Sequence, residues 1–403
     1  MEVEVTLYIR QNPLFSFDTL MKYQPRTRLA KLFESLDIYP VIRSMPAKSS
    51  RGPKGYSLFA MVRALIAKQV CGIQTVTQLV ERLKSDVVFR YDCGFSTNGS
   101  VPSSATFSRR FDMLNATEGL HSLFTDLVEK ATAMQLISGE VIAIDASKID
   151  AYEKTIPKKE VTDDGTQANW GSKLDTNGNQ HTWFGYKLHL AVDTASELPV
   201  AITVTPANRN DGTQALPLIN AISHQAKYYC MDSGYDTKEI YEEIRNIGAQ
   251  AVIPLNRRGE KIPPEGLDEN RTPTCSMGYS MMYWGCDAKN GILKFRCPHV
   301  CGKVNCPQGS SWCSDSNYGL VVKKKVSEDP RSFCTPHRGT REWKKIYDQR
   351  TSVERVFSRL KEHLGANLIR VRGIKKVTTH LLLCCIALIA GTIAVNRSKQ
   401  RAA

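Results

Sequence analysis

No stretch of this 403-residue sequence is apolar for long enough to read as a bilayer span. The longest apolar run, LLLCCIALIAGTIAV from Leu381 to Val395, has 15 residues against the roughly 20 that a membrane-crossing helix needs, so it reads as a buried core helix. A targeting segment is missing too, because MEVEVTLYIRQNPLF has neither a basic start nor a sufficient apolar centre. There is no Gly-x4-Gly-Lys-Ser/Thr loop, so ATP is not implied. These lacks point to a cytoplasmic protein with no membrane partner, in which the 12 cysteines are mostly thiols. Negative charge is also short: 40 Asp and Glu stand against 54 Lys and Arg, a net of +14. The excess is uneven, since residues 338–376 hold 12 basic and 4 acidic side chains. A basic stretch of this kind attracts a polyanion such as DNA, with generic basic surface as the plain alternative.

Within that basic stretch, YDQRTSVERVFSRLK places Tyr347, Arg350, Glu354 and Lys361 at i, i+3, i+7 and i+14. At about 100° per residue the four fall within roughly 60° on a helix. Ile346, Val353, Val356, Phe357, Leu360 and Leu364 form a neighbouring stripe about 90° away. One face can therefore pack while the adjacent edge presents a hydroxyl, a guanidinium, a carboxylate and an ammonium. A solvated face with i, i+4 ion pairs would explain any one of these charges alone.

The joint spacing Tyr-x2-Arg-x3-Glu-x6-Lys resembles the YREK motif of insertion-sequence DDE transposases, in which the Glu is the third catalytic carboxylate. The resemblance implies two upstream aspartates at strand ends, and both are present. EVIAIDAS (140–147) is a β-branched run leading to Asp145, and YYCMDSGY (228–235) is a short apolar strand followed by Asp232, Gly234 and Tyr235, similar to the family's D-x-G-Y motif. GYKLHLAVD (185–193), LPVAITVTPAN (198–208) and AVIPL (251–255) read as further strands, giving the order β-β-β-α-β-α-β before the Glu helix. That order resembles an RNase H-like fold. In an open sheet the site lies beyond the carboxyl ends of parallel strands, where Asp145 and Asp232 would be neighbours. Asp150, Asp193 and Asp211 also lie near strand ends, and Asp211 sits where a helix cap is wanted.

The remaining segments frame this core. SLFAMVRALIAKQV (57–70) reads as a helix stopped at Gly72, Thr75 caps a second helix through Leu83, and a third opens at Ser103 or Ser104 with Arg109 and Arg110 exposed. This part is similar to the helical N-terminal domain of one group of these transposases. It fits equally a helix-turn-helix that reads element ends or a packed, dimerising domain. MPAKSSRGPKG (45–55) reads as a linker and residues 158–179 as a loop between the first two strands. Seven cysteines crowd into residues 275–334, and Cys297-x3-Cys301-x4-Cys306-x6-Cys313 offers thiolates for a structural zinc. Cys-x2-Cys knuckles are lacking, so reduced cysteines in a small insert are the alternative.

The expected fold class is α/β: an RNase H-like mixed sheet flanked by helices, with a helical N-terminal domain and a Cys-rich insertion before the Glu-bearing helix. The expected divisions are 1–135 (helical), 138–262 (catalytic, first part), 263–340 (insertion) and 341–397 (catalytic, second part). By resemblance, Asp145, Asp232 and Glu354 hold two Mg²⁺ ions, with Mn²⁺ able to substitute. One ion generates a nucleophile from water or a 3′-OH and the other stabilises the leaving oxygen. Tyr347, Arg350 and Lys361 position phosphates of the transposon end. The implied partners are double-stranded DNA, as transposon ends and target, and a second copy of the chain in the DNA complex. Two other readings share these residues: a nuclease without strand transfer, and a transposase-derived DNA-binding protein, which would be expected to have lost a carboxylate.

Overall fold

The computed structural model describes residues 16–46, 55–161, 164–174 and 177–401. The expected linker at 45–55 falls largely outside them, as do parts of 158–179.

Eight helices among the described residues open the chain. Three short ones, α1 (Phe17–Tyr23), α2 (Arg28–Phe33) and α3 (Tyr39–Ser44), precede α4 (Leu58–Val70), α5 (Val76–Ser85), α6 (Val87–Asp92), α7 (Ser104–Asn115) and α8 (Gly119–Ala133). Capping sets several starts. Ser57 accepts from the Ala60 amide and Ser103 from the Thr106 amide, while Thr75 and Gln78 form a reciprocal capping box. After α4 the chain turns at Gly72, whose φ of +63° is a left-handed conformation that a side chain would strain. From Ala60 to Val70 every residue of α4 except Arg63 is buried, so this helix is a core element and cannot lie in a DNA groove. Arg109 is exposed as expected, but Arg110 is half-buried, with its Nη1 2.9 Å from Met113 Sδ.

A six-stranded mixed sheet follows. It comprises β1 (Val141–Asp150), β2 (Asn169–Leu174), β3 (Gln180–Asp193), β4 (Leu198–Pro206), β5 (Tyr228–Cys230) and β6 (Gln250–Val252). β3 pairs antiparallel with β1, and its two halves pair with β2 and β4 beyond. β1, β5 and β6 run parallel, with α9 (Ala215–Asn220) and α10 (Lys238–Asn246) in the connections. Two expectations are corrected. Residues 158–179 are not wholly a loop, because Asn169–Leu174 forms β2, held by Trp170 Nε1 donating to the Ile156 carbonyl at 2.8 Å and by Trp170 packing on Phe184. The first strand does not stop at Asp145, since its antiparallel partner β3 carries it on to Asp150.

Between the sheet and the last helices lies a separate three-stranded antiparallel sheet, β7 (Met282–Asp287), β8 (Ile292–Arg296) and β9 (Val321–Lys325). It has a small core of its own in Met281, Leu293, Phe295 and Phe333. The chain then forms α11 (Arg341–Tyr347), a 3₁₀ turn over Asp348–Arg350, α12 (Thr351–Ser358), a π turn over Arg359–His363 and finally α13 (Ile374–Gln400). α13 has 27 residues, so it outruns the 15-residue apolar run and is long and apolar enough to span a bilayer; 78% of its most apolar window is nevertheless buried inside the protein. It packs on α2, α4, α7 and α8 and also on β4, so one contiguous core runs from the N-terminal helices into the sheet.

Candidate active site

The register of the parallel strands brings the two aspartates together. Ala143 pairs with Cys230, so two residues further on Asp145 and Asp232 reach the same level. At β5 the ladder ends in a tight turn: Asp232 Oδ1 accepts from the Gly234 amide at 2.7 Å and caps a short 3₁₀ turn over Ser233–Tyr235. A Cβ on Gly234 would come within 2.9 Å of that same oxygen, which is the physical reason for Gly in Asp-Ser-Gly-Tyr. Tyr235 is buried behind the turn. Its phenol is raised well above the usual range by burial and then by the charges of Asp145, Asp211 and Asp232.

Glu354 arrives from α12, which lies on β1 and β3. All six residues of the expected apolar stripe, Ile346, Val353, Val356, Phe357, Leu360 and Leu364, are buried, which fixes the rotation of the helical stretch. Arg350, at the start of α12, then bridges the site, with Nη1 3.2 Å from Asp145 Oδ2 and Nη2 2.8 Å from Glu354 Oε1. Two carboxylates 209 residues apart in sequence thus share one guanidinium. Asp145 is nearly buried and its carboxyl is pushed up to about 6, mainly by burial and also by Asp232, against the Ala146 amide, Arg350 and Lys173, which lower it.

The other motif residues lie around this bridge. Tyr347 stacks on Trp343, with ring centroids 4.9 Å apart, and feels the charges of both Arg350 and Asp232. Lys361 donates to Ser147 Oγ at 2.7 Å, one step along the same face of β1 from Asp145. Its ammonium is held below the usual range by burial and by Lys148 and Lys173, so three ammonium groups crowd beside the carboxylates. Lys148, Lys173 and Ser147 were not singled out in the sequence. Recognising NWGSKL as a strand beside β3 would have found Lys173.

The competing carboxylates are occupied elsewhere. Asp193 is buried, with Oδ1 accepting from Ser138 Oγ and the Gly139 amide and Oδ2 from the amide and hydroxyl of Ser196. Asp211 pairs with Lys187 at 2.7 Å, and the capping role belongs instead to Asn210, which accepts from the Gly212 amide. Asp150 is exposed, 3.8 Å from Lys148.

Among the described residues no three His, Cys, Asp or Glu side chains stand close enough to hold a metal ion as they are placed. For Asp145, Asp232 and Glu354, the Arg350 guanidinium occupies the space between two of them. Cys297, Cys301, Cys306 and Cys313 likewise form no ligand shell. Cys297 is buried at the end of β8, and the thiol of Cys313 is raised by burial and then by Cys297, Cys275 and Cys306.

Residues 137–390 match the family model described as Transposase DDE domain, and residues 18–112 match a second described as Transposase domain (DUF772). The first covers more than half of the chain, which therefore belongs to the DDE transposase family of insertion sequences. A Burkholderia cepacia protein named as a candidate transposase for insertion sequence element IS402 is 33% identical over 99 residues, which are 22% of this chain and 46% of that protein. The chain thus spans about half the length of the curated relative it matches. Among solved structures, a piggyBac transposase synaptic complex with hairpin DNA aligns over 92% of this chain and 75% of its own at a TM-score of 0.40 and 10% identity. A likeness that slight carries no argument.

Proposed function

We propose that this chain is the transposase of an insertion sequence, which binds the element's ends, cleaves donor DNA and joins 3′-OH ends to target DNA by phosphoryl transfer. The observation that carries the reading is the Arg350 bridge between Asp145 and Glu354, beside the strand end that holds Asp232. The sheet order, with β1 between an antiparallel β3 and a parallel β5, supports an RNase H-like core for that site. Three carboxylates with oxygen donors only, two of them level with one another on adjacent parallel strands and one pushed up mainly by burial and also by its neighbour's charge, suit a hard divalent cation such as Mg²⁺ or Mn²⁺. Bound there, such ions supply Lewis-acid stabilisation of charge on phosphate oxygens and lower the pKa of the attacking hydroxyl.

The chain's own residues do the rest. Arg350 neutralises the carboxylates in the free protein and is placed to meet a phosphate when DNA arrives. Lys361, Lys148 and Lys173 hold the adjoining backbone phosphates, and Tyr347 lines the approach from its stack on Trp343. A second copy of the chain would serve the second end of the element.

A nuclease without strand transfer would share all of these residues, so the discriminating test is an assay for joined products. With Mg²⁺ and a plasmid bearing the DNA that flanks the gene, strand-joined products are expected. Cleaved but never joined ends would favour the nuclease, and intact DNA with all three carboxylates in place would favour a binding protein.

A further inference from the structure

A second cation-lined site lies away from the carboxylates, where the N-terminal helices meet the end of β1 and the start of α13. A cleft of about 300 Å³ opens there between α4, α7, Tyr152, the 368–372 loop and α13. Lys68 reaches it from α4, Arg370 and Arg372 from the loop, and Lys376 from α13. The lining carboxylate, Asp112, is already paired with Lys376 at 2.6 Å. Arg370 and Arg372 both lie against the ring of the exposed Tyr152, 5.6 and 5.7 Å from its centroid, which holds two guanidinium groups side by side at the mouth.

Lys68 is the informative residue. It is 7% exposed, with an ammonium that opens onto the cleft and makes no hydrogen bond or ion pair among the described residues. Its polar neighbours are satisfied without it: Gln69 Nε2 lies 3.3 Å from His380 Nδ1, and His380 Nε2 lies 2.8 Å from the Gly365 carbonyl. The latter contact requires a proton on Nε2, so a neutral ring accepts at Nδ1 and neither group neutralises the ammonium. A largely buried lysine without a partner is costly, and burial holds its pKa below the ordinary lysine value. Such a cost is expected where an anion completes the site.

We infer that this cleft is a phosphate-binding site that takes a backbone phosphate of DNA passing through the active site, with Lys68 as its buried anchor and Arg370 and Arg372 as its rim. The placement fits one continuous strand of DNA, because Tyr152 follows Asp145 by seven residues, at most roughly 23 Å of extended chain. The inference rests on the DNA-binding reading of the chain but concerns a different set of side chains.

The test compares wild type, Lys68→Met and the double variant Arg370→Gln/Arg372→Gln, binding a mixed-sequence duplex over a range of salt, with melting followed in parallel. Lys68→Met is expected to raise Tm, because it removes an unpaired charge from a largely buried side chain, while weakening DNA binding and lowering the slope of log K against log salt by about one. The double variant is expected to lower the slope by about two, which keeps the test decisive if Lys68→Met fails to fold. Slopes unchanged in both variants, with wild type binding normally, overturn this inference alone, and a wild type that binds no duplex overturns the proposed function with it. If inorganic phosphate raises the Tm of wild type but not of the variants while the DNA slopes stay equal, the cleft takes free phosphate and the DNA assignment is wrong.

Discussion

Asp145 illustrates how much one side chain depends on its surroundings. Its carboxyl is held near 6 by burial and by Asp232, whereas the unfolded chain would titrate at the ordinary value of 3.8. Because the folded pKa is the higher one, the folded state bears a cost that sets in above 3.8 and is complete above about 6. Asp145→Asn should therefore be more stable than wild type at pH 7, by up to about 3 kcal/mol, and no more stable below pH 4. Denaturant unfolding at the two pH values checks this, and equal or lower stability at pH 7 would contradict it. An NMR titration of Asp145 should also move down in Asp232→Asn and up in Arg350→Ala. Asp145, Asp232 and Glu354 could be picked out in the sequence because a β-branched run, Asp-x-Gly-Tyr and helix spacing are local patterns, although β1 runs on past Asp145 to Asp150. What excludes Asp193 and Asp211 was not legible, since Ser138, Ser196 and Lys187 reach them only through the folded sheet.

At the scale of elements, the stripe from Ile346 to Leu364 was read correctly as a buried face, but the helix beneath it is not uniform. A 3₁₀ turn at Asp348–Arg350 and a π turn at Arg359–His363 change the winding on either side of Glu354. Lys361 sits within the π turn and reaches Ser147 on β1 from there. Lys361→Ala should lower the salt slope of DNA binding by about one while leaving the fold intact, and an unchanged slope would make it a surface charge. β2 was missed because its partner, the first half of β3, lies across a turn that only the pairing reveals. For the Cys-rich insert the sequence left a structural zinc and reduced cysteines both open, and the described residues give it a core of its own in which Leu293 and Phe295 are fully buried. Phe295→Ala should loosen residues 275–337 to proteases, at a cost of about 3–5 kcal/mol, while treatment with a chelator should not. Proteolysis of the chelated protein at wild-type enzyme concentrations would show that a metal holds the insert.

Across the whole molecule, length and charge suggested separable domains and a polyanionic partner, but not that α13 would join the N-terminal helices to the sheet in one core. That junction is made by side chains hundreds of residues apart, which no local pattern encodes. Three histidines buried at different points of the fold, His189, His337 and His380, are each held near 4, mainly by burial. Since the unfolded chain protonates near 6.5, it takes up protons between 6.5 and 4 that the folded chain refuses. Asp145, raised to about 6, works the other way over part of that window, so the fall in stability as pH drops should be read in Asp145→Asn, where a flat unfolding profile between pH 6.5 and 4.5 would contradict the burial of these rings. The central claim is that Asp145, Asp232 and Glu354 act as one catalytic set. The most direct measurement is Mg²⁺-dependent cleavage of element-end DNA by purified, folded Asp145→Asn, Asp232→Asn and Glu354→Gln, with DNA binding recorded on the same samples. Each variant should retain DNA binding and lose cleavage, whereas cleavage at the wild-type rate by any one of them would contradict the account.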